Sequence, residues 1–214
     1  MTINVVEYWP FDLVGTTKKR RFDYTDKTGV IPNFSSVFYY DAKLRQLVYA
    51  EYNDKLVWQD DWHLIYDPSK GVCEVSDWYP QKSNTLSAIY GSTQKENLST
   101  PIQWGNFVNL GQIVSNKPVY DPFTSTPPFC VHGSGFQSVL FEALLPTITL
   151  TTGVTYSNVL QFMYSQSWNG GKVLGGRYWM ARGIGPIAVS WMAFDNSGNI
   201  IAQEPRCDAT ITTA

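Results

Sequence analysis

Charge is scarce in this chain. Charged residues make up 16% of its 214 positions, against the usual quarter, which excludes a long solvated helix, a coiled coil and an intrinsically disordered chain. Neither sign dominates: 16 Lys and Arg stand against 18 Asp and Glu, a net charge of −2, so nucleic acid is not an expected partner. Apolar runs are short. None approaches the roughly 18 residues of a helix that crosses a bilayer, so no transmembrane segment is expected.

Cysteine and histidine are scarcer still. Cys73, Cys130 and Cys207 allow at most one bridge and leave at least one thiol free, and their spacing leaves the pairing open. Cys130 and His132 would share a strand face, and His63 or Asp61 could complete a tetrahedral zinc site. Nothing in the sequence brings these together, so no metal is expected. A P-loop, a dinucleotide fingerprint, H-E-x-x-H and paired C-x-x-C are all absent, which leaves no cofactor to expect. Gly133-Ser134-Gly135 has the wrong spacing for a nucleophile elbow. The first residues, Met1 to Glu7, lack a basic segment followed by an apolar one, so the location reads as cytoplasmic or as a mature exported form.

Aromatics are what the chain has in excess: 15% of residues, with 8 Trp and 13 Tyr. Its length suits a single β domain over 1–214 that buries roughly 70% of its extended surface. The dominant hydrophobic period is two. From Tyr156 to Trp168 one face carries Leu160, Phe162, Tyr164 and Trp168, while the other is mostly polar, as a half-buried strand requires. Asn169-Gly170-Gly171 then suits a hairpin turn, as do Asp67-Pro68-Ser69-Lys70-Gly71 and Asn196-Ser197-Gly198-Asn199. About ten strands with short connections predict a single antiparallel barrel or half-barrel, like those of the calycins and lipoprotein carriers.

One segment predicts a helix. Ser134-Gly135-Phe136-Gln137 fits a capping box, and Phe136, Val139, Leu140, Ala143 and Leu144 repeat at helical spacing before Pro146. A short helix within Gly135 to Leu145, lying against the sheet, is expected. The polar stretches Gln81 to Pro101 and Asn116 to Pro128 read as loops. Lys18-Lys19-Arg20-Arg21 reads as a solvated edge strand.

Tyr8-Trp9-Pro10-Phe11-Asp12-Leu13-Val14-Gly15 and Arg177-Tyr178-Trp179-Met180-Ala181-Arg182-Gly183-Ile184-Gly185-Pro186-Ile187 resemble elements of uncharacterised bacterial secreted β-proteins and lipoproteins. The resemblance covers about twenty residues and carries no catalytic motif. It implies a curved antiparallel sheet wrapped over a helix, and no reaction. Gly183 and Gly185 themselves read as a bulge or tight bend between strands.

The richest stretch runs from Val57 to Tyr66. As one strand it sets Trp58, Asp60, Trp62 and Tyr66 on a single face, where a carboxylate among aromatics would be desolvated and could serve as a general acid. The alternative is a turn over Gln59-Asp60-Asp61 with both carboxylates in water. Trp58, Trp62, Tyr66, Trp78, Tyr164, Tyr178 and Trp179 are the candidate walls of an apolar pocket. Arg177 is a candidate to hold a carboxylate or stack on a ring. Binding of an apolar or aromatic small molecule is the leading expectation. A cofactor-free cyclase, isomerase or hydratase using Asp60, His63 or His132 is the second. The third is an assembly protein whose exposed aromatics join copies of the chain into a homo-oligomer.

Overall fold

A computed structural model describes residues 1–80, 93–116, 137–167, 173–194 and 200–214. The expected antiparallel barrel is there, nearly closed and twelve strands around. Outside its wall, β1 (Thr2–Asn4) pairs with β8 (Phe107–Asn109). Six strands form a first meander: β2 (Lys19–Asp26), β3 (Phe34–Asp41), β4 (Gln46–Tyr52), β5 (Trp58–Asp67), β6 (Gly71–Pro80) and β7 (Thr93–Gly105). A second meander follows with β9 (Ile113–Asn116), β10 (Gln137–Thr149), β11 (Thr155–Ser167), β12 (Val173–Ala181) and β13 (Gly185–Phe194). A short β14 (Ile200–Gln203) pairs with the later part of β13. The last strand, β15 (Cys207–Thr213), sits between β2 and β13 and joins the two meanders.

Turn chemistry explains the connections. Asp67 Oδ1 accepts the Ser69 N–H at 2.7 Å, and Gly71 takes the left-handed position at φ 90°, as the Asp-Pro…Gly spacing predicts. The strand count exceeds ten because short strands β1, β8 and β9 add to it, because the expected helix is β10, and for two further reasons. Thr93 to Pro101, read as loop, belongs to β7, and the run from Ile200 to Thr212 breaks at Glu204-Pro205-Arg206. Residues 81–92 and 117–136 lie outside those described.

The predicted helix is a strand. Val139 and Phe141 point into the barrel while Leu140 and Ala143 point outward, because the segment is apolar on both faces. Such a run fits helical spacing as well as it fits two-period spacing, and cross-strand pairing with β11 decides between them. A bulge between Phe141 and Ala143 breaks the alternation at Glu142. Pro146 lies beyond the stretch that β9 covers, where β10 has one neighbour and a missing N–H costs no ladder bond. The described residues hold only two short 3-10 turns, Val5–Tyr8 and Phe11–Leu13.

Those turns do what the helix was expected to do. Residues 1–14 enter one end of the barrel, and Val5, Tyr8, Trp9 and Leu13 join its main core. Three ties hold the segment. Val5 N–H donates to Asn106 O at 2.8 Å, Gly183 N–H donates to Glu7 O at 2.6 Å, and Arg20 bridges Asp12 to the carbonyls of Gly183 and Ile184. Gly183 and Gly185 have φ 69° and 113°, so the predicted tight bend is a turn that grips this segment. The basic run Lys18 to Arg21 is therefore not an edge: β2 pairs with β15 on one side and β3 on the other.

A second, smaller core lies outside the barrel. The tip of the β10–β11 hairpin folds back so that Ile148 and Leu150 pack against Trp179, Ile187 and Ala188. Buried Asp208 accepts the Thr151 N–H at 2.7 Å and pairs with Arg206, whose guanidinium lies over Trp179. Cys73 and Cys207 are free and buried, and Cys130 lies outside the described residues.

Candidate functional site

Strand parity sorts the candidate residues. On β4, Leu47 and Tyr49 belong to the core, so Glu51 shares their inward face. On β5, Trp62 and Leu64 face inward, and Asp60 with them. Gln59 is bulged, because Tyr52 pairs with Trp58 while Glu51 pairs with Asp60. That extra residue flips Trp58 to the outer face, where its indole N–H donates to Asp61 at 2.6 Å. The shared face of Trp58, Asp60, Trp62 and Tyr66 is thus corrected, and so is the turn over Gln59-Asp60-Asp61, which is strand.

The remaining candidates divide likewise. Tyr164 and Tyr178 line the lumen with Trp62, whereas Trp179 lies in the outer cluster with its indole N–H on Gln161. Tyr66 sits at the rim, 43% exposed, with its ring against Phe11. Trp78 pairs in register with Asp61, and its side chain lies outside those described. Arg177 does hold a carboxylate, but from its own chain: Glu142 accepts its Nε–H at 2.7 Å and its Nη2–H at 2.9 Å. His63 is on the outer face of β5, fully buried, with Nδ1 3.0 Å from Gln46 Oε1. Asp60 and His63 therefore point to opposite sides of one strand, and His132 lies outside the described residues.

The lumen is aromatic and acidic. Trp62 stacks on Trp104 at 5.4 Å, Trp104 meets Trp9 at 5.6 Å, and Tyr49 meets Phe38 at 4.7 Å. The indole N–H of Trp62 donates to Asp60 at 3.0 Å, and that of Trp104 to Glu74 at 3.1 Å. These rings leave a central void of about 10 Å³, on the order of one water.

Burial pushes the Glu51 carboxyl up to about 8, the nearby Asp60 charge adds to this, and a hydrogen bond from Tyr49 opposes it. Burial and Asp60 likewise push Glu74 up to about 8, against the bond from Trp104. Among the described residues no basic group acts on either carboxyl. Glu51 Oε1 and Tyr178 Oη are enclosed with no hydrogen-bond partner among the described residues. Burial first, then Tyr164, Glu51, Tyr24 and Asp60, holds the Tyr178 phenol well above its usual value.

These acids make stability depend on pH. Below about 4.5, Glu51 is protonated in both states and contributes no difference. Between about 4.5 and about 8 the folded protein keeps a proton that the unfolded chain has released. Stability must fall as pH rises through that window, by up to about 1.4 kcal/mol per pH unit for each such group. Glu51→Gln, which mimics the neutral acid, is expected to match the parent at pH 5 and to melt at higher temperature at pH 9. Parallel melting profiles for the two proteins across this range would refute a protonated Glu51.

The larger space lies at the end of the barrel away from the N-terminal segment. A groove of about 330 Å³ crosses β13 from Gly175 on β12 to Ala202 on β14, and Trp191, Met192, Ala193 and Glu204 complete its lining. The Trp191 carbonyl fixes this corner by accepting the Glu204 N–H at 2.9 Å. Its indole also reaches the lumen, meeting Tyr178 edge-on at 6.1 Å and Phe34 at 6.3 Å.

No family model matches the chain, and neither a curated protein nor a solved structure is similar to it. Function rests on geometry alone.

Sequence reasoning passed over Glu51, Glu74, Trp104, Trp191 and Glu204. Parity offered the signal for the first two, because Leu47-x-Tyr49-x-Glu51 and Val72-x-Glu74 put each acid on an apolar face. Trp104 follows directly on a segment read as loop, which hid its strand.

Proposed function

We propose that the protein binds an apolar or aromatic small molecule in the groove beside Trp191. The observation that carries this is the groove's size and lining: about 330 Å³, bounded among the described residues by Gly175, Trp191, Met192, Ala193 and Ala202 with the single acid Glu204. Ligand pockets run from about 300 to 1,000 Å³ and combine apolar walls with a few polar groups. The lumen, with about 10 Å³ free, supports ligand binding less well. The acid–base reading has less support too, because Asp60 and His63 lie on opposite faces of β5. Exposed large aromatics among the described residues are Tyr66 and Phe107, which favours a ligand over subunit contacts as the use of this aromatic excess.

The test is fluorescence and thermal melting with indole, phenol and octanoic acid as probes. At least one should quench Trp191 and raise the melting temperature by mass action. Ala202→Leu, at an exposed position in the groove, should abolish the quench and leave the melting temperature without probe unchanged. Absence of both responses at millimolar probe would overturn the proposal.

A further inference from the structure

We infer that the molecule taken up by this groove carries a positive charge, as an apolar or aromatic amine whose ammonium sits at Glu204. The inference rests on the groove reading and adds the charge of the ligand to it. Among the described residues Glu204 is the one charged member of the lining, is exposed, and makes no ion pair. Among the described residues, the nearby basic side chains Arg206 and Arg177 are engaged. Arg206, two residues on, pairs with Asp208 at 2.7 Å and covers Trp179, and Arg177 is spent on Glu142.

Behind the groove the lumen offers no compensating cation among the described residues. Trp191 separates the groove from Tyr178, a residue 4% exposed whose hydroxyl is enclosed without a partner among the described residues. The groups that act on Tyr178 are the acids Glu51 and Asp60 and the phenols of Tyr164 and Tyr24, with no basic group among them. Three carboxyls, Glu51, Asp60 and Glu74, thus stand inside this barrel, and no basic group among the described residues offsets Glu51 or Glu74. An anionic ligand at Trp191 would meet the like charge of Glu204 and find no cation behind it among the described residues. A neutral ligand would strip water from Glu204 and return at most one uncharged hydrogen bond to it. An amine meets a carboxylate and, beside it, the indole of Trp191, which attracts a cation over its face. Each polar contribution is modest at an exposed site, and together they set a preference rather than an absolute requirement.

Three near-isosteric probes decide the matter by calorimetry at pH 7 and low salt: 2-phenylethylamine, 2-phenylethanol and phenylacetate. The amine should bind about tenfold more tightly than the alcohol, the sum expected of an exposed ion pair and a cation–π contact. Phenylacetate should bind more weakly than either. Glu204→Gln should bring the amine-to-alcohol ratio close to one. Equal affinity for amine and alcohol in the parent overturns the charge inference and leaves the groove reading standing. An amine preference that survives Glu204→Gln overturns the assignment to Glu204. If no probe binds and Trp191 fluorescence is unmoved by all three, both the inference and the groove reading fall.

Discussion

Replacing Trp9 with alanine is expected to cost about 3–5 kcal/mol of stability, the range for removing a large aromatic from a filled core. Trp9 is 5% exposed and meets Phe38 and Trp104 edge-on at 6.3 and 5.6 Å, so its removal empties the middle of the barrel rather than a surface dent. The loss should exceed that of Val14→Ala, only a few residues away and 45% exposed, where little apolar area is returned to water. Equilibrium urea unfolding measures both. A Trp9→Ala cost below about 1 kcal/mol would mean that residues 1–14 do not occupy the lumen. The Trp9 indole N–H and the Tyr8 hydroxyl are both enclosed without partners among the described residues. Trp9→Phe is therefore expected to cost far less than Trp9→Ala, because it keeps a ring and removes an unsatisfied donor.

Gly71→Ala should be among the most damaging single-methyl additions in the chain. A β-carbon built there lies 2.0 Å from Gly105 O and 2.6 Å from Asn106 Cα, and the residue holds φ at 90°. Both obstacles are backbone, so no side chain can rotate away, and the β6–β7 pairing at Val72 and Gly105 must open. Gly153 supplies the control. Its φ is 85°, yet nothing lies within 4 Å of the added methyl. Gly153→Ala should thus cost roughly 1 kcal/mol, from the left-handed conformation alone. Gly71→Ala should cost more than about 3 kcal/mol, since overpacking is added to it. Equal losses at the two positions would show that the backbone around Gly105 yields.

Much of the barrel was legible because long stretches of its strands alternate strictly. From Leu160 to Ser165 the two faces are as the period of two predicts, with Leu160, Phe162 and Tyr164 inside. The failures share a cause. A bulge has no sequence signature of its own, so Gln59 silently exchanged the face of Trp58, the one residue before it on β5. Glu142 did the same on β10, and apolar residues on both faces there imitated helical spacing. One error was avoidable. Tyr178 and Trp179 are adjacent on β12, so alternation alone forbids them a common face, and only the first of the pair lines the lumen. The groove was beyond reach for another reason. Its lining comes from β12, β13 and the stretch from Ala202 to Glu204, and only the three-dimensional register brings them together. Residues 1–14 show no clear period, and their burial depends on a barrel that other residues build.

The place of β15 has a consequence for how the molecule comes into being. Cys207 pairs with Asp26 and Thr213 with Arg20, so the partners are separated by nearly the whole chain. Each meander consists of neighbours in sequence and can zip locally as it is synthesised, but the β2–β15–β13 junction must wait until the chain has been made as far as Cys207–Thr213. Until then β2 and β13 expose raw edges, the surfaces through which nascent chains pair with the wrong neighbour. β15 therefore acts as the keystone between the two meanders, and it sets the moment at which two vulnerable half-sheets become one barrel.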